Sequence, residues 1–295
     1  MQLGQFNMNQ TNRQCLLNNS GKLIHQIASR LGRSDISADW KGADGGGIQG
    51  SAVLFLLTKC RTFQGKRTEL CLLLNKRSRL VLQPGDLCCP GGGITRVDKI
   101  MSGFMPLPGV PLHKWLQWFR WRVKQRQMAR RVMQVWTAGL REAWEEMRLN
   151  PLKVTLLGPL PVQRLTMFRR LIFPLTAWVP SYPHLRPNWE VDRVVNVPLR
   201  SLLDPSNYGR YRLSFEAGQS ETGRPDEFPC FIHQGRQGVE ILWGATFRIT
   251  MDFLRIAMDF DYPAKEGLPE VRGKRDAAYL NGSVWDQVTS RRQGR

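Results

Sequence analysis

The sequence predicts an α/β protein with a central sheet flanked by helices. Three observations carry that prediction. Apolar runs at 52–58 and 70–75 are short and bounded by polar residues, as buried strands are. Residues 141–149 and 246–258 instead place apolar groups at helical spacing. At 295 residues and 42% hydrophobic content the chain is long enough to enclose a sizeable core.

In order along the chain, a helix is expected near 21–31, before the flexible joint Gly45-Gly46-Gly47. Strands follow at 52–58 and 70–75. A second helix covers about 136–149. Ala, Leu, Glu, Arg, Met and Trp dominate its last part, and Asn150-Pro151 ends it, because the residue before a proline is pushed out of the helical region. Further strands are expected near 154–157, 171–179, 191–197 and 211–215. A last helix at 246–258 carries the stripe Phe247, Thr250, Met251, Leu254 and Met258. One domain spans 51–260, after an N-terminal extension at 1–50. From Tyr262 the chain turns polar and basic and reads as a loose tail, 261–295.

The formal net charge is +19, which attracts polyanions without identifying one. There is no apolar run of the ~18 or more residues that would span a bilayer. The start of the chain is polar and lacks a signal-peptide pattern. The six cysteines are scattered, none in C-x-x-C spacing, so a zinc site is not expected and reduced core thiols are. A cytoplasmic location is the expectation that follows. The four histidines, His25, His113, His184 and His233, are isolated and read as ordinary residues.

Two segments concentrate chemistry. One is the turn Pro90-Gly91-Gly92, with Asp98 six residues on; the other is Arg141-Glu142-Ala143-Trp144-Glu145-Glu146. On a helix Glu142 and Glu146 are i and i+4 and share a face, with Glu145 beside them. Carboxylates crowded on one turn repel unless a cation sits among them, and hard oxygen ligands suit Mg²⁺ or Mn²⁺. Joined, the two segments resemble the Nudix box, G-x5-E-x7-R-E-U-x-E-E-x-G-U. In this chain 99–140 fill the interval before the Arg, so roughly 35 residues are inserted into the motif. The pattern departs from the box at Asp98, which replaces the first Glu, and at Arg148, which stands where Gly is usual.

The resemblance implies an α/β/α sandwich with a mixed central sheet and metal-assisted hydrolysis of a diphosphate linkage. It implies Glu142, Glu145 and Glu146 as metal ligands for Mg²⁺ or Mn²⁺, Arg141 as the residue orienting the first Glu, and Gly91 and Gly92 as the turn over the helix start. The base would be Glu142 or a Glu from a loop. Leu72-Leu73-Leu74-Asn75-Lys76-Arg77-Ser78, Gly85, and 240–246 (E-I-L-W-G-A-T) resemble the coenzyme A pyrophosphatase branch. Arg77 and Ser78 are then implied substrate contacts, and coenzyme A or an acyl-coenzyme A the implied substrate, with homodimers common among such proteins. The Arg and His that the branch carries between Ser78 and Gly85 are missing.

The intervening segment 99–135 holds eight Lys or Arg and no Asp or Glu, and its Leu112, Trp115, Leu116, Phe119 and Val123 form a helical stripe. It reads as a helical excursion packed on the domain, as a lid meeting an anionic diphosphate, or as a basic Trp-rich surface (112–133) for an anionic membrane or RNA. The last reading makes the alternative function a polyanion-binding protein on the same scaffold.

Overall fold

In the computed structural model, the structure describes residues 17–34, 40, 49–61, 68–103, 123, 125–165, 170–215, 227–235, 237–264, 266–275 and 279. The two apolar runs form the long antiparallel pair β1 (Gln49–Arg61) and β2 (Thr68–Arg77). Leu56 faces Leu73 and Leu57 faces Leu72, so successive side chains go to opposite sides and both sides are apolar. β7 (Arg170–Val179) runs parallel to β1, and β5 (Thr155–Pro159) is antiparallel to β7. With β3 (Leu87–Cys88) on β2 the order is β3-β2-β1-β7-β5. β4 (Gly91–Gly93) pairs with β1, β6 (Gln163–Leu165) with β7, and β8 (Val191–Pro198) with β2. A second sheet, ordered β11-β10-β9-β12, is built from β9 (Tyr208–Phe215), β10 (Glu227–Gly235), β11 (Gly238–Leu242) and β12 (Glu270–Arg275).

Helices cover the main sheet on both faces. α1 (Ser20–Arg33) starts at Asn19, whose side chain accepts from Lys22 N, and buries Leu23, Ile27 and Leu31 at i, i+4 and i+8. After the short α2 (Arg96–Met101), the long α3 (Arg126–Met147) crosses the other face; α4 (Leu199–Leu202) is a single turn, and α5 (Gly244–Met258) closes the α1 side. Two cores result. Leu54, Leu56, Leu73, Phe173 and Leu175 meet Val132, Val135, Trp136 and Met147 of α3. Phe55, Leu57, Leu70, Leu72 and Leu74 meet α1 and Phe247, Phe253, Leu254 and Met258 of α5. Each such side chain contributes about 1.5–3 kcal/mol by leaving water. This is the three-layer α/β/α arrangement with a mixed sheet that the sequence predicts, and all five residues of the stripe expected on the last helix are buried.

Several expectations are corrected. The helix expected from 136 begins at Arg126, because Met128, Ala129, Val132 and Met133 continue the core face backwards. It ends at Met147 rather than Leu149: Arg148 takes the left-handed conformation, φ 59, and Leu149 N donates to Ala143 O. The tail expected to be loose supplies β12, parallel to β9, and the buried Tyr279. Cys60 and Cys71, expected as thiols, are joined as a disulfide between β1 and β2, their Cα atoms 6.0 Å apart. α1 and Trp40, both within the segment set apart as an extension, pack on the domain; Trp40 Nε1 donates to Leu160 O. Of the stripe expected in the basic insertion, all but Val123 falls outside the described residues. Among the described residues no helix is long and apolar enough to cross a membrane.

Arg148 occupies a backbone conformation that costs a side-chain-bearing residue about 1–2 kcal/mol and costs glycine almost nothing. Among the described residues its side chain's return is a guanidinium carbon 5.5 Å from the centre of the Trp144 ring, which is 45% exposed. Arg148→Gly is therefore expected to raise the free energy of unfolding by about 0.5–1 kcal/mol in urea titrations. A decrease would show that the stacking outweighs the strain.

Candidate active site

The site lies where the C-terminal half of α3 passes the β4 turn. Gly91 lets β4 lie close against β1: its φ is +150, and a Cβ there would collide with the backbone of Ala52 and Val53. At Gly92 a Cβ would sit 2.5 Å from the Glu142 carboxyl carbon and from its Oε1. The Glu142 side chain thus lies directly against the glycine backbone.

Asp98 and Arg141 join the two segments. Thr95 caps α2 reciprocally: Asp98 N donates to Thr95 Oγ1 at 3.3 Å, and Thr95 N donates to Asp98 Oδ2 at 2.7 Å. This fixes a fully buried carboxylate. Arg141 Nε donates to Asp98 Oδ1 at 2.8 Å and its Nη2 to Asp98 Oδ2 at 3.0 Å. The same Nη2 donates to Gly93 O at 3.0 Å and stands 3.0 Å from Glu142 Oε1, while Nη1 donates to Glu145 Oε2 at 3.2 Å. One guanidinium therefore ties together α2, the β4 turn and two α3 carboxylates. Burial works to raise the Asp98 pKa, but the hydrogen bonds from Arg141 and Thr95 outweigh it and hold the carboxyl below its ordinary value. The Arg141 pKa is raised, chiefly by its hydrogen bonds to Asp98.

Glu146 is half-buried and held by donors from two strands. Asn75 Nδ2, on β2, donates to its Oε2 at 2.8 Å, and Gly91 N donates to the same oxygen at 3.3 Å. Burial pushes its pKa up to about 8, with Glu142 and then Glu190 adding repulsion against the Gly91 N–H and Arg77. Glu142 is also raised, first by burial and then by Glu145 and Asp98, against the pull of Arg141. The segment before β8 closes the end of α3: Arg186 N donates to Met147 O and Asn188 N to Glu146 O. That segment carries Glu190, close enough to Glu146 to raise its pKa, and the half-exposed Trp189.

Of the residues singled out in the sequence, Gly91, Gly92, Arg141, Glu142 and Glu146 converge. Glu145 is bound to Arg141, with its side chain 52% exposed. Arg77 lies close enough to Glu146 to lower its pKa, but its Nε donates to Leu82 O at 2.6 Å. Ser78 turns into its own loop, with Oγ accepting from Leu80 N, while its N donates to Glu190 O. That loop is held from behind by Asp86, which accepts from Trp243 Nε1 at 3.2 Å and from the Tyr279 hydroxyl. Asn75 and Glu190 acquire their places only through the fold. The signal for Asn75 is a lone amide closing an apolar strand, where a buried polar group calls for a partner.

The donor chemistry of Glu142, Glu146 and Glu190 fits a hard divalent cation, since these carboxylates repel one another in a buried setting. Among the described residues, no three acidic, His or Cys side chains are gathered closely enough to hold a metal ion as they stand.

No protein-family model matches the chain, and no curated protein matches it. Solved structures with a similar chain path include an Ap4A hydrolase from C. elegans in a binary complex. That structure is 15% identical over 53% of this chain and 84% of its own, with a TM-score of 0.32. The NUDIX domain of Shewanella oneidensis NrtR, cocrystallised with ADP ribose, is 16% identical over 60% and 85%, with a TM-score of 0.31. A MutT/nudix family protein from Enterococcus faecalis is 10% identical over 80% and 74%, with a TM-score of 0.37. Overlaps this partial assign no activity to the chain.

The Asp98 shift has a defined pH consequence. The unfolded carboxyl titrates near pH ~3.9 and the folded one lower. The stabilisation is thus present above pH ~4 and lost as pH falls through the folded pKa. Asp98→Asn is expected to lower unfolding free energy by about 2–3 kcal/mol at pH 7. The gap to the unsubstituted protein should close below pH ~4; a gap independent of pH would contradict the ion pair.

Proposed function

We propose that the protein is a divalent-metal-dependent hydrolase that cleaves a diphosphate linkage in a nucleoside diphosphate derivative. The observation that carries this reading is the Arg141 junction: it fastens the glycine turn and Asp98 to Glu142 on the helix that also carries the half-buried Glu146. A surface helix with a solvated acidic face would need none of those contacts.

Glu142 and Glu146 would hold Mg²⁺ or Mn²⁺, with Glu190 behind them and Glu145 joining on release from Arg141. The metal, when bound, supplies charge neutralisation at the phosphoryl oxygens and lowers the pKa of water. The remaining work falls to the chain. Arg141 keeps Glu142 against Gly92, so the carboxylate does not reorganise during the reaction. Asn75 and the Gly91 N–H hold Glu146. Glu142 or Glu190 accepts the proton of the attacking water. Trp189, 49% exposed between Asn188 and Glu190, offers a face for a nucleobase.

Coenzyme A or an acyl-coenzyme A is the lead substrate, on the strength of the Arg77-Ser78 and Trp243-Gly244 segments. Against it stand the missing Arg and His and the commitment of Arg77 to the Leu82 carbonyl. Other nucleoside diphosphate derivatives are the near alternative. Incubation with coenzyme A, ADP-ribose and a dinucleoside polyphosphate, each with Mg²⁺ or Mn²⁺, tests the reading. Cleavage of at least one is expected, with kcat falling about 100-fold or more in Glu146→Gln and activity lost with chelator. Undiminished turnover by Glu146→Gln, or no cleavage across the panel, would overturn it.

A further inference from the structure

Asn75 is 1% exposed, and the residues just before it on the strand, Leu70 to Leu74, are all apolar and buried. Among the described residues its amide makes one hydrogen bond, from Nδ2 to Glu146 Oε2, and its Oδ1 is buried with no hydrogen-bond partner. When Glu146 is ionised to bind a cation, only the NH₂ end can donate to it, which fixes the O and N assignment in that state. A buried acceptor left without a partner costs stability, and an apolar isostere at this position would avoid that cost. Leu73, two residues earlier on the same strand face, is such an apolar residue and packs against α3 in the core. The amide therefore serves the carboxylate rather than the fold.

From this we propose that Asn75 is a positioning residue for the metal-binding carboxylate. Its Nδ2 sets the orientation of Glu146, together with the Gly91 N–H on the same oxygen, which would leave Oε1 available to a cation. The two donors come from different strands, β2 and β4, so Glu146 is held from two sides while its backbone belongs to α3. Donors that orient a ligating carboxylate tune metal affinity without touching the ion. The inference rests on the hydrolase reading above and extends it to a residue outside the acidic motif.

The test is direct titration of Mn²⁺ by electron paramagnetic resonance without substrate, alongside the melting temperature and kcat. Asn75→Leu removes both amide atoms while keeping the branching at Cγ. It is expected to melt no lower than the unsubstituted protein, to bind Mn²⁺ about 10- to 100-fold more weakly, and to lose kcat in proportion. Thr176→Val is the control: it also removes a buried hydroxyl without a hydrogen-bond partner among the described residues. Thr176 lies opposite Phe55, on the face of the sheet away from α3, so its substitution should leave Mn²⁺ affinity unchanged. If Asn75→Leu binds Mn²⁺ normally while Glu146→Gln does not, the positioning role is overturned and the hydrolase reading stands. If the unsubstituted protein binds no Mn²⁺, both fall. Asn75→Val provides a second apolar replacement with good strand propensity. Loss of the fold in both variants would overturn the proposal, which gives Asn75 no stabilising part.

Discussion

The pairing of Arg141 with Asp98 is the constraint on which the rest of the site depends. It joins residues 43 positions apart in the sequence, one on a two-turn helix capped by Thr95 and one on the longest helix of the fold. Each partner is anchored by contacts of its own. Asp98 is oriented by the Thr95 capping box, and Arg141 rides on a helix packed against the sheet by Val135, Trp136 and Met147. A bidentate guanidinium–carboxylate pair between two such fixed points gives direction as well as attraction. Through its remaining donors Arg141 transmits that direction to Gly93 and to Glu142 and Glu145.

The acidic site is held at some cost to stability. Glu146 is half-buried beside Glu142 and near Glu190, and its pKa near 8 expresses how poorly an unneutralised carboxylate fits there. Two donors built into the main sheet fix its orientation there, an amide from β2 and an N–H from β4, and the more distant charge of Arg77 opposes the repulsion. The same sheet buries large apolar surface on both faces, so the strain stays local. Positive charge in excess over the whole chain, +19, would favour the approach of the anionic substrate proposed above.

Much of this was legible in the sequence. Strands 52–58 and 70–75 were readable because a two-sided apolar run of that length has few other solutions. The last helix was readable from its stripe. Glu142 and Glu146 were paired by helical spacing alone. The missed parts have physical causes. Arg148 is a good helix former by composition, yet the helix ends before it; propensity gave no hint that Leu149 would fold back onto Ala143. β12 and Tyr279 sit in a basic stretch whose order comes from pairing with β9 and from the Asp86 carboxylate, both remote in sequence. Asn75 looked like the polar end of a strand; its partner lies 71 residues away. The Cys60–Cys71 bond required knowing that β1 and β2 pair in a register that brings the two side chains together.

A double-mutant cycle on Asp98 and Arg141, read as unfolding free energy in urea at pH 7, bears most directly on the assembly of the split motif. If the two residues act as one junction, the losses in Asp98→Ala and Arg141→Ala will overlap, and the coupling energy will be about 1–3 kcal/mol. Losses additive to within about 0.5 kcal/mol would mean that the two halves of the motif do not hold each other, and the site would have to be explained without this pair.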